Sequence, residues 1–261
     1  MATPYGARRP GVRPSPVFLV LAAVTVLCGL ACWRYGLSIV RPARVLLLVF
    51  VVAGWIVTLC VHEFAHAYLA HRAGDRTVAT RGYLTLNPLL YADRVLSFAI
   101  PVVFVLLGGI GLPGGAVWLD RHAIRDRWRQ SLVSAAGPLS NAVFAIMLGV
   151  IFKNFASRDH AVFWTAIAFL GFLQVTAALL NLLPIPGLDG FGVAEPFLPR
   201  PVRAWADRFG GFVFLALLAA LWLIPAVNTA FFDLAYAVCD AVGLNRTDVL
   251  IGRALLEFWR D

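Results

Sequence analysis

The sequence predicts an all-α polytopic membrane protein with about five to six transmembrane helices, and three observations support this fold class. Hydrophobic residues make up 61% of the 261 residues and charged residues only 14%, whereas soluble domains carry about 25% charged residues. Several apolar segments are long enough to cross a hydrocarbon core about 30 Å thick as helices. Basic residues cluster in the short segments between these apolar runs, which is typical of membrane proteins. A short β region and a re-entrant hairpin complete the predicted fold.

Four apolar segments have the length of a single span, namely residues 17–37, 44–70, 131–152 and 161–183. The apolar region 210–243 is longer and contains Pro225, which interrupts a regular helix. This region therefore predicts either one kinked span with an interfacial helix or two short spans.

The apolar segment Val95–Leu119 contains two prolines and five glycines, which disfavour a regular helix. We interpret it as a re-entrant hairpin, because irregular backbone at membrane depth is tolerated where protein or a cavity surrounds it. With the amino terminus inside, this interpretation places 14 basic residues on the inner side and five in the outer loops. A full span at this position would instead move the four arginines of segment 121–129 outside. The sequence thus predicts a multi-pass protein of the cell membrane.

Residues Thr77 to Leu86 alternate between polar and apolar side chains. A period of two is typical of a half-buried strand, so this segment predicts short strands. They would follow closely after the apolar segment 44–70.

A metal-binding pattern occurs at the end of that apolar segment, where the sequence reads His62-Glu63-Phe64-Ala65-His66. Two histidines four residues apart share one helical face and can bind Zn²⁺, while the adjacent glutamate can take a proton from water. Buried histidines bonded to neighbouring helices are the alternative. Ionisable side chains at membrane depth are costly and usually functional, which favours the zinc site.

A catalytic zinc ion usually has three protein ligands, so a third candidate is needed. His71 is nearest in sequence but lies one position away from the known spacing for such a ligand. Asp189 is the better candidate, because Pro184 and Pro186 end the preceding helix and allow the chain to turn back. Asn181, an amide in the same apolar helix, could equally be structural or take part in the site.

These two segments together resemble the site-2 protease family of intramembrane zinc metalloproteases. Members combine HExxH on one transmembrane helix with Asn-x-x-Pro-x-Pro-x-x-Asp-Gly on a later one, and both patterns are complete here. The resemblance implies that His62, His66 and Asp189 bind zinc. It further implies that Glu63 is the general base and that Asn181 helps to hold the substrate or its oxyanion.

Further segments are similar to the compact bacterial branch of this family, which lacks a PDZ domain. The segment Ala136–Asn141 resembles the start of its central helix, and Gly82–Leu89 resembles its strand region. Relatives commonly carry a histidine and then Asp-Pro where this chain has Tyr91 and Asp93-Arg94.

We therefore expect an enzyme that cleaves membrane-anchored proteins in or near their transmembrane segments, with its active site toward the cytoplasm. A non-proteolytic zinc-containing scaffold or a transporter is the alternative. The formal charge of +8 does not indicate nucleic-acid binding. The arginines lie in short loops beside apolar runs, where their role in orienting the protein in the lipid bilayer explains their positions. The sequence leaves the oligomeric state open, a homo-oligomer included. The predicted parts are a tail and first anchor (1–43), a catalytic core (44–200) and C-terminal membrane helices with a tail (201–261).

Overall fold

The computed structural model describes residues 12–90 and 117–257, together with Val103 and Trp259. Residues 12–90 and 117–257 form nine α-helices and several short 3₁₀ turns. The helices are α1 (Pro16–Tyr35), α2 (Arg41–Ala73), α3 (Thr77–Thr80), α4 (Arg127–Phe155), α5 (Ala161–Asn181), α6 (Asp189–Ala194), α7 (Arg200–Leu223), α8 (Pro225–Val242) and α9 (Arg246–Leu256).

Five helices in the described part of the chain are long and apolar enough to cross a membrane, namely α1, α2, α4, α5 and α7. Helices α8 and α9 together form a further candidate span that is bent by 116°. This agrees with the prediction of five to six transmembrane helices. Pro225 occupies the first turn of α8, where its missing N–H group has no helical partner to lose. Helix α7 begins at Arg200, earlier than expected, because its polar first turns carry no hydropathy signal.

Helix α5 lies at the centre of the bundle. In the apolar stretch of α5 that could cross a membrane, 89% of the residues are buried. The corresponding shares for α1 and α7 are 11% and 17%. Phe172 of α5 is buried and stacks on Tyr236 of α8 with ring centroids 5.2 Å apart. The apolar faces of α1 and α7 are left exposed by the bundle, as expected for helices in contact with lipid.

The predicted short β region is wrong for the described residues, since segment Thr77–Leu86 forms α3 and a 3₁₀ turn at Tyr83–Thr85. Its backbone bonds are local, such as the Arg81 N–H group donating to the Thr77 carbonyl at 3.0 Å. Asp75 initiates the turn by accepting from the Thr77 N–H group at 2.8 Å. The alternating pattern therefore reflects a segment buried on one side, and the hydrogen bond of the Asp75 side chain to the backbone two residues on favours a turn over extended backbone.

Asp75 also connects the end of α2 to a distant part of the chain. Its carboxylate is fully buried and accepts a hydrogen bond from the Asp120 N–H group at 2.8 Å. The predicted re-entrant hairpin Val95–Leu119 lies almost wholly outside the described residues. Residues 117–120, which are described, are non-helical and run beside α2.

Candidate active site

The first part of the site comes from the second half of α2. His62, Glu63 and His66 are buried there, with exposed fractions of 3%, 2% and 5%. A spacing of four residues places both histidines on the same face of the helix. Their Nε2 atoms lie 3.2 Å apart.

The second part comes from the chain that follows α5. Helix α5 ends at Asn181, and Gly187 adopts a positive φ of 96° that turns the backbone before α6 begins at Asp189. A Cβ atom at Gly190 would overlap the Leu182 carbonyl group. The turn therefore closes tightly, and this brings Asp189 back to α2.

The three side chains form a set of donor atoms with the dimensions of a zinc site. Asp189 Oδ2 lies 3.3 Å from His62 Nε2 and 3.4 Å from His66 Nε2. A tetrahedral Zn²⁺ ion with bonds of about 2.0–2.2 Å places its ligand atoms about 3.3–3.6 Å apart. The observed separations match the edges of such a tetrahedron, so the residues fit this ion. Among the described residues, these three form the group of metal-ligating side chains that could hold an ion.

Helix α4 orients His66 and bounds the site. The Val133 carbonyl lies 2.7 Å from His66 Nδ1, and because a carbonyl can only accept, Nδ1 must carry the proton. The Nε2 lone pair is then free for a metal. Gly137 lies opposite the same two rings, and a Cβ atom there would overlap Nε2 of both His66 and His62. The absence of a side chain at residue 137 therefore keeps the space between the donor atoms open.

The electrostatics favour an ionised Asp189. Burial by itself would raise the pKa of the Asp189 carboxyl, but the adjacent His66 and His62 rings, when they are protonated, hold that pKa well below its usual range. Asp189 also lies in the first turn of α6, where the helix dipole favours negative charge. Its carboxylate is thus available as an anionic ligand.

Glu63 is positioned by a backbone group from the last residues of the segment predicted as a hairpin. The Val117 N–H group donates to Glu63 Oε2 at 3.0 Å. This bond restrains the carboxylate beside the donor atoms. The hydrogen bond from Val117 is the one that the described part of the chain makes to this carboxylate.

The remaining candidates differ in their surroundings. Asn181 is 2% exposed, and its Oδ1 atom has no hydrogen-bond partner among the described residues. His71 lies in the last turn of α2 and is not part of the donor group. His160 stacks on Trp33 with ring centroids 3.7 Å apart, which is a packing role.

The chain is similar to curated proteins that are named as zinc metalloproteases. The chain is 48% identical over 253 residues to a protein of Mycolicibacterium smegmatis named "Putative zinc metalloprotease Rip2", covering 96% of each chain. A Rip2 protein of Mycobacterium tuberculosis is 44% identical over 97% of this chain and 96% of its own. The protein named "Putative zinc metalloprotease YwhC" from Bacillus subtilis is 34% identical, covering 70% of this chain and 87% of its own. No family profile and no solved structure matches the chain.

The chain belongs to the site-2 protease family. It is a zinc metalloprotease and a multi-pass membrane protein, and its zinc cofactor agrees with the donor set of His62, His66 and Asp189. This confirms the expected family, enzyme class and metal.

The site of this site-2 protease also uses groups that the sequence did not single out. The Val133 carbonyl and the Val117 N–H group are backbone atoms, which leave no trace in the side-chain pattern. Gly137 does leave a signal, since Gly-Pro inside a long apolar segment is unusual for a helix interior and indicates a close approach.

Proposed function

We propose that this site-2 protease hydrolyses peptide bonds in or near the transmembrane segments of membrane-anchored protein substrates. The observation that carries the proposal is the position of the donor atoms. Two of them lie on α2, a helix that is itself long and apolar enough to cross the membrane. The proposed site is therefore within the helical bundle and not on an external domain.

In this proposal His62, His66 and Asp189 hold the zinc ion. When bound, zinc supplies a Lewis acid that polarises the scissile carbonyl and makes water nucleophilic near neutral pH. Glu63 accepts the proton from the attacking water and passes it to the departing amine. The Val117 N–H group holds Oε2 of Glu63, so Oε1 is the oxygen available for proton transfer.

The substrate must be extended before cleavage, because the amides of a transmembrane helix are bonded internally and shielded from attack. Asn181 is the proposed residue for holding the opened backbone. Its buried Oδ1 atom, which lacks a partner in the described part of the chain, can accept a hydrogen bond from a substrate N–H group. Its Nδ2 group can donate to the oxyanion.

The variant Glu63→Gln tests the proposed chemistry. Glutamine retains an oxygen that can accept from Val117, and it leaves the three donor atoms unchanged, so the protein should bind one zinc ion per chain. Loss of a general base should lower cleavage of a single-span reporter by about 10²- to 10⁴-fold. The variant His66→Ala should lose both zinc and cleavage. Cleavage by clean Glu63→Gln protein at the wild-type rate would reject Glu63 as the base and favour a scaffold or transporter role for the site.

We further propose that the active site faces the cytoplasm, which the distribution of basic residues supports. Single cysteines can be introduced in a cysteine-free background at the exposed positions Arg125 and Arg158. A membrane-impermeant maleimide should label Arg158→Cys in intact cells and Arg125→Cys only after permeabilisation. Labelling with the opposite pattern would reverse the orientation.

A further inference from the structure

A buried amide on α5 lies one helical turn from the proposed zinc ligands. Gln174 is fully buried, and its Nε2 group donates to Thr58 Oγ1 at 2.9 Å. The Thr58 hydroxyl in turn donates to the Trp55 carbonyl at 2.8 Å. Because the single hydroxyl proton is used in that bond, Thr58 can only accept from the amide, which fixes the nitrogen of Gln174 toward α2. The direction of the other amide atom, Oε1, is thereby determined.

Gln174 and His62 each carry a buried polar atom, and these two atoms have complementary hydrogen-bonding character. Gln174 Oε1 is an acceptor and His62 Nδ1 is a ring nitrogen, and neither has a hydrogen-bond partner among residues 12–90 and 117–257. His62 follows Thr58 by four residues and therefore lies on the same face of α2. Side chains of a helix lean toward its amino terminus, so the His62 ring leans toward the level of Thr58 and Gln174.

The chemistry of a zinc-bound histidine requires a partner for its second nitrogen. A neutral imidazole that binds metal through Nε2 carries its proton on Nδ1, and that N–H group almost always donates to a carbonyl, carboxylate or water. His66 satisfies this rule through the Val133 carbonyl. His62 has no such partner in the described part of the chain, although it is equally buried.

We propose that Gln174 is the positioning residue for His62, with Gln174 Oε1 accepting the His62 Nδ1–H group directly or across one water. Thr58 fixes this arrangement, because its hydrogen bond holds the Gln174 amide in the required orientation. The proposal rests on the proposed role of His62 as a zinc ligand. It gives each histidine of the pair its own acceptor, one from α4 and one from α5.

Asn181 is the competing acceptor, since its Oδ1 atom is also buried without a described partner. Helices α2 and α5 run in the same direction, because Gln174 meets Thr58 while Asp189, beyond the end of α5, meets His62 and His66. Asn181 follows Gln174 by seven residues and so lies about 10 Å further along the axis. The His62 ring leans toward the amino terminus of α2 and therefore away from Asn181. This direction favours Gln174 as the acceptor for His62 Nδ1.

The test measures zinc affinity of the full-length protein in detergent by competition with a chromophoric chelator. Gln174→Met keeps the volume and removes both amide atoms, and zinc binding should weaken by about 10- to 100-fold. Gln174→Glu, protonated in this fully buried position, keeps one O–H donor for Thr58 and one carbonyl acceptor for His62, so its zinc affinity should stay close to wild type. Thr176→Val removes a hydroxyl that is fully buried in the same helix and donates to its own helix at Leu173, so it is the matched control and should bind zinc normally.

A second measurement separates positioning from general packing. The visible spectrum of the cobalt-substituted protein reports the geometry of the ligands, and Gln174→Met should change it while Thr176→Val should not. Wild-type zinc affinity in Gln174→Met, or equal weakening in Thr176→Val, would overturn the proposal. Weakening in Asn181→Ala alone would assign the acceptor to Asn181 and also overturn it. None of these outcomes depends on cleavage, so the failure of the proposed function would be seen separately through Glu63→Gln.

Discussion

Replacing Gly137 by alanine gives the sharpest test of how α4 packs against the site. The residue has no positive φ, so alanine suits its backbone, and in an open helical position the change would stabilise the helix by about 0.5–1 kcal/mol. At Gly137 the new methyl carbon would overlap the Nε2 atoms of His66 and His62. We therefore expect the opposite result.

The size of the effect follows from the distances. The added carbon would lie 2.6 Å from His62 Cε1 and still closer to the two Nε2 atoms, whereas ordinary contact begins at 3.4 Å, so the rings or α4 must move by at least about 0.8 Å. Metal–ligand distances vary by only about 0.2 Å. The three donor atoms can then no longer match one ion, and overpacking should also lower the free energy of unfolding by about 1–3 kcal/mol.

The assay is zinc content per chain after gel filtration, measured together with reporter cleavage and the helical circular-dichroism signal. We expect Gly137→Ala to retain its helical signal and to lose zinc and cleavage. Gly211→Ala on α7 is the matched control, since a Cβ atom there has no neighbour within 4 Å. A Gly137→Ala protein with full zinc content and wild-type cleavage would refute the described packing of α4 against the histidines.

Two further changes test the supports of the site. Asp75→Asn leaves only one acceptor oxygen for the N–H groups of Thr77 and Asp120. The free energy of unfolding should therefore fall by about 1.5–3 kcal/mol, measured in a thermal melt. An unchanged melting temperature would show that this connection is not stabilising. Gly190→Ala would overlap the Leu182 carbonyl and displace the adjacent carboxylate of α6, so zinc affinity should fall; unchanged affinity would mean that the turn before α6 is not tight.

Much of the architecture could be predicted from the amino-acid sequence because hydropathy depends on composition over a whole span. The predicted spans 44–70 and 161–183 correspond to α2 and α5, and each end agrees within a few residues. The alternating segment Thr77–Leu86 was wrongly predicted as strands, because a period of two also arises where short helical turns are buried on one side. Here the Asp75 side chain accepts hydrogen bonds from the N–H group and the hydroxyl of Thr77, and these bonds favour a turn at this place.

The sequence by itself determined the chemistry of the proposed site, because spacing and residue type are local properties. A four-residue spacing puts His62 and His66 on one face of any helix, and the prolines before Asp189 require a break after α5. Only the tertiary structure brought the aspartate to the two rings, with donor separations of 3.2–3.4 Å. It alone revealed that Val133, Val117 and Gly137 surround them, because backbone atoms and empty space become specific only when separate helices pack together.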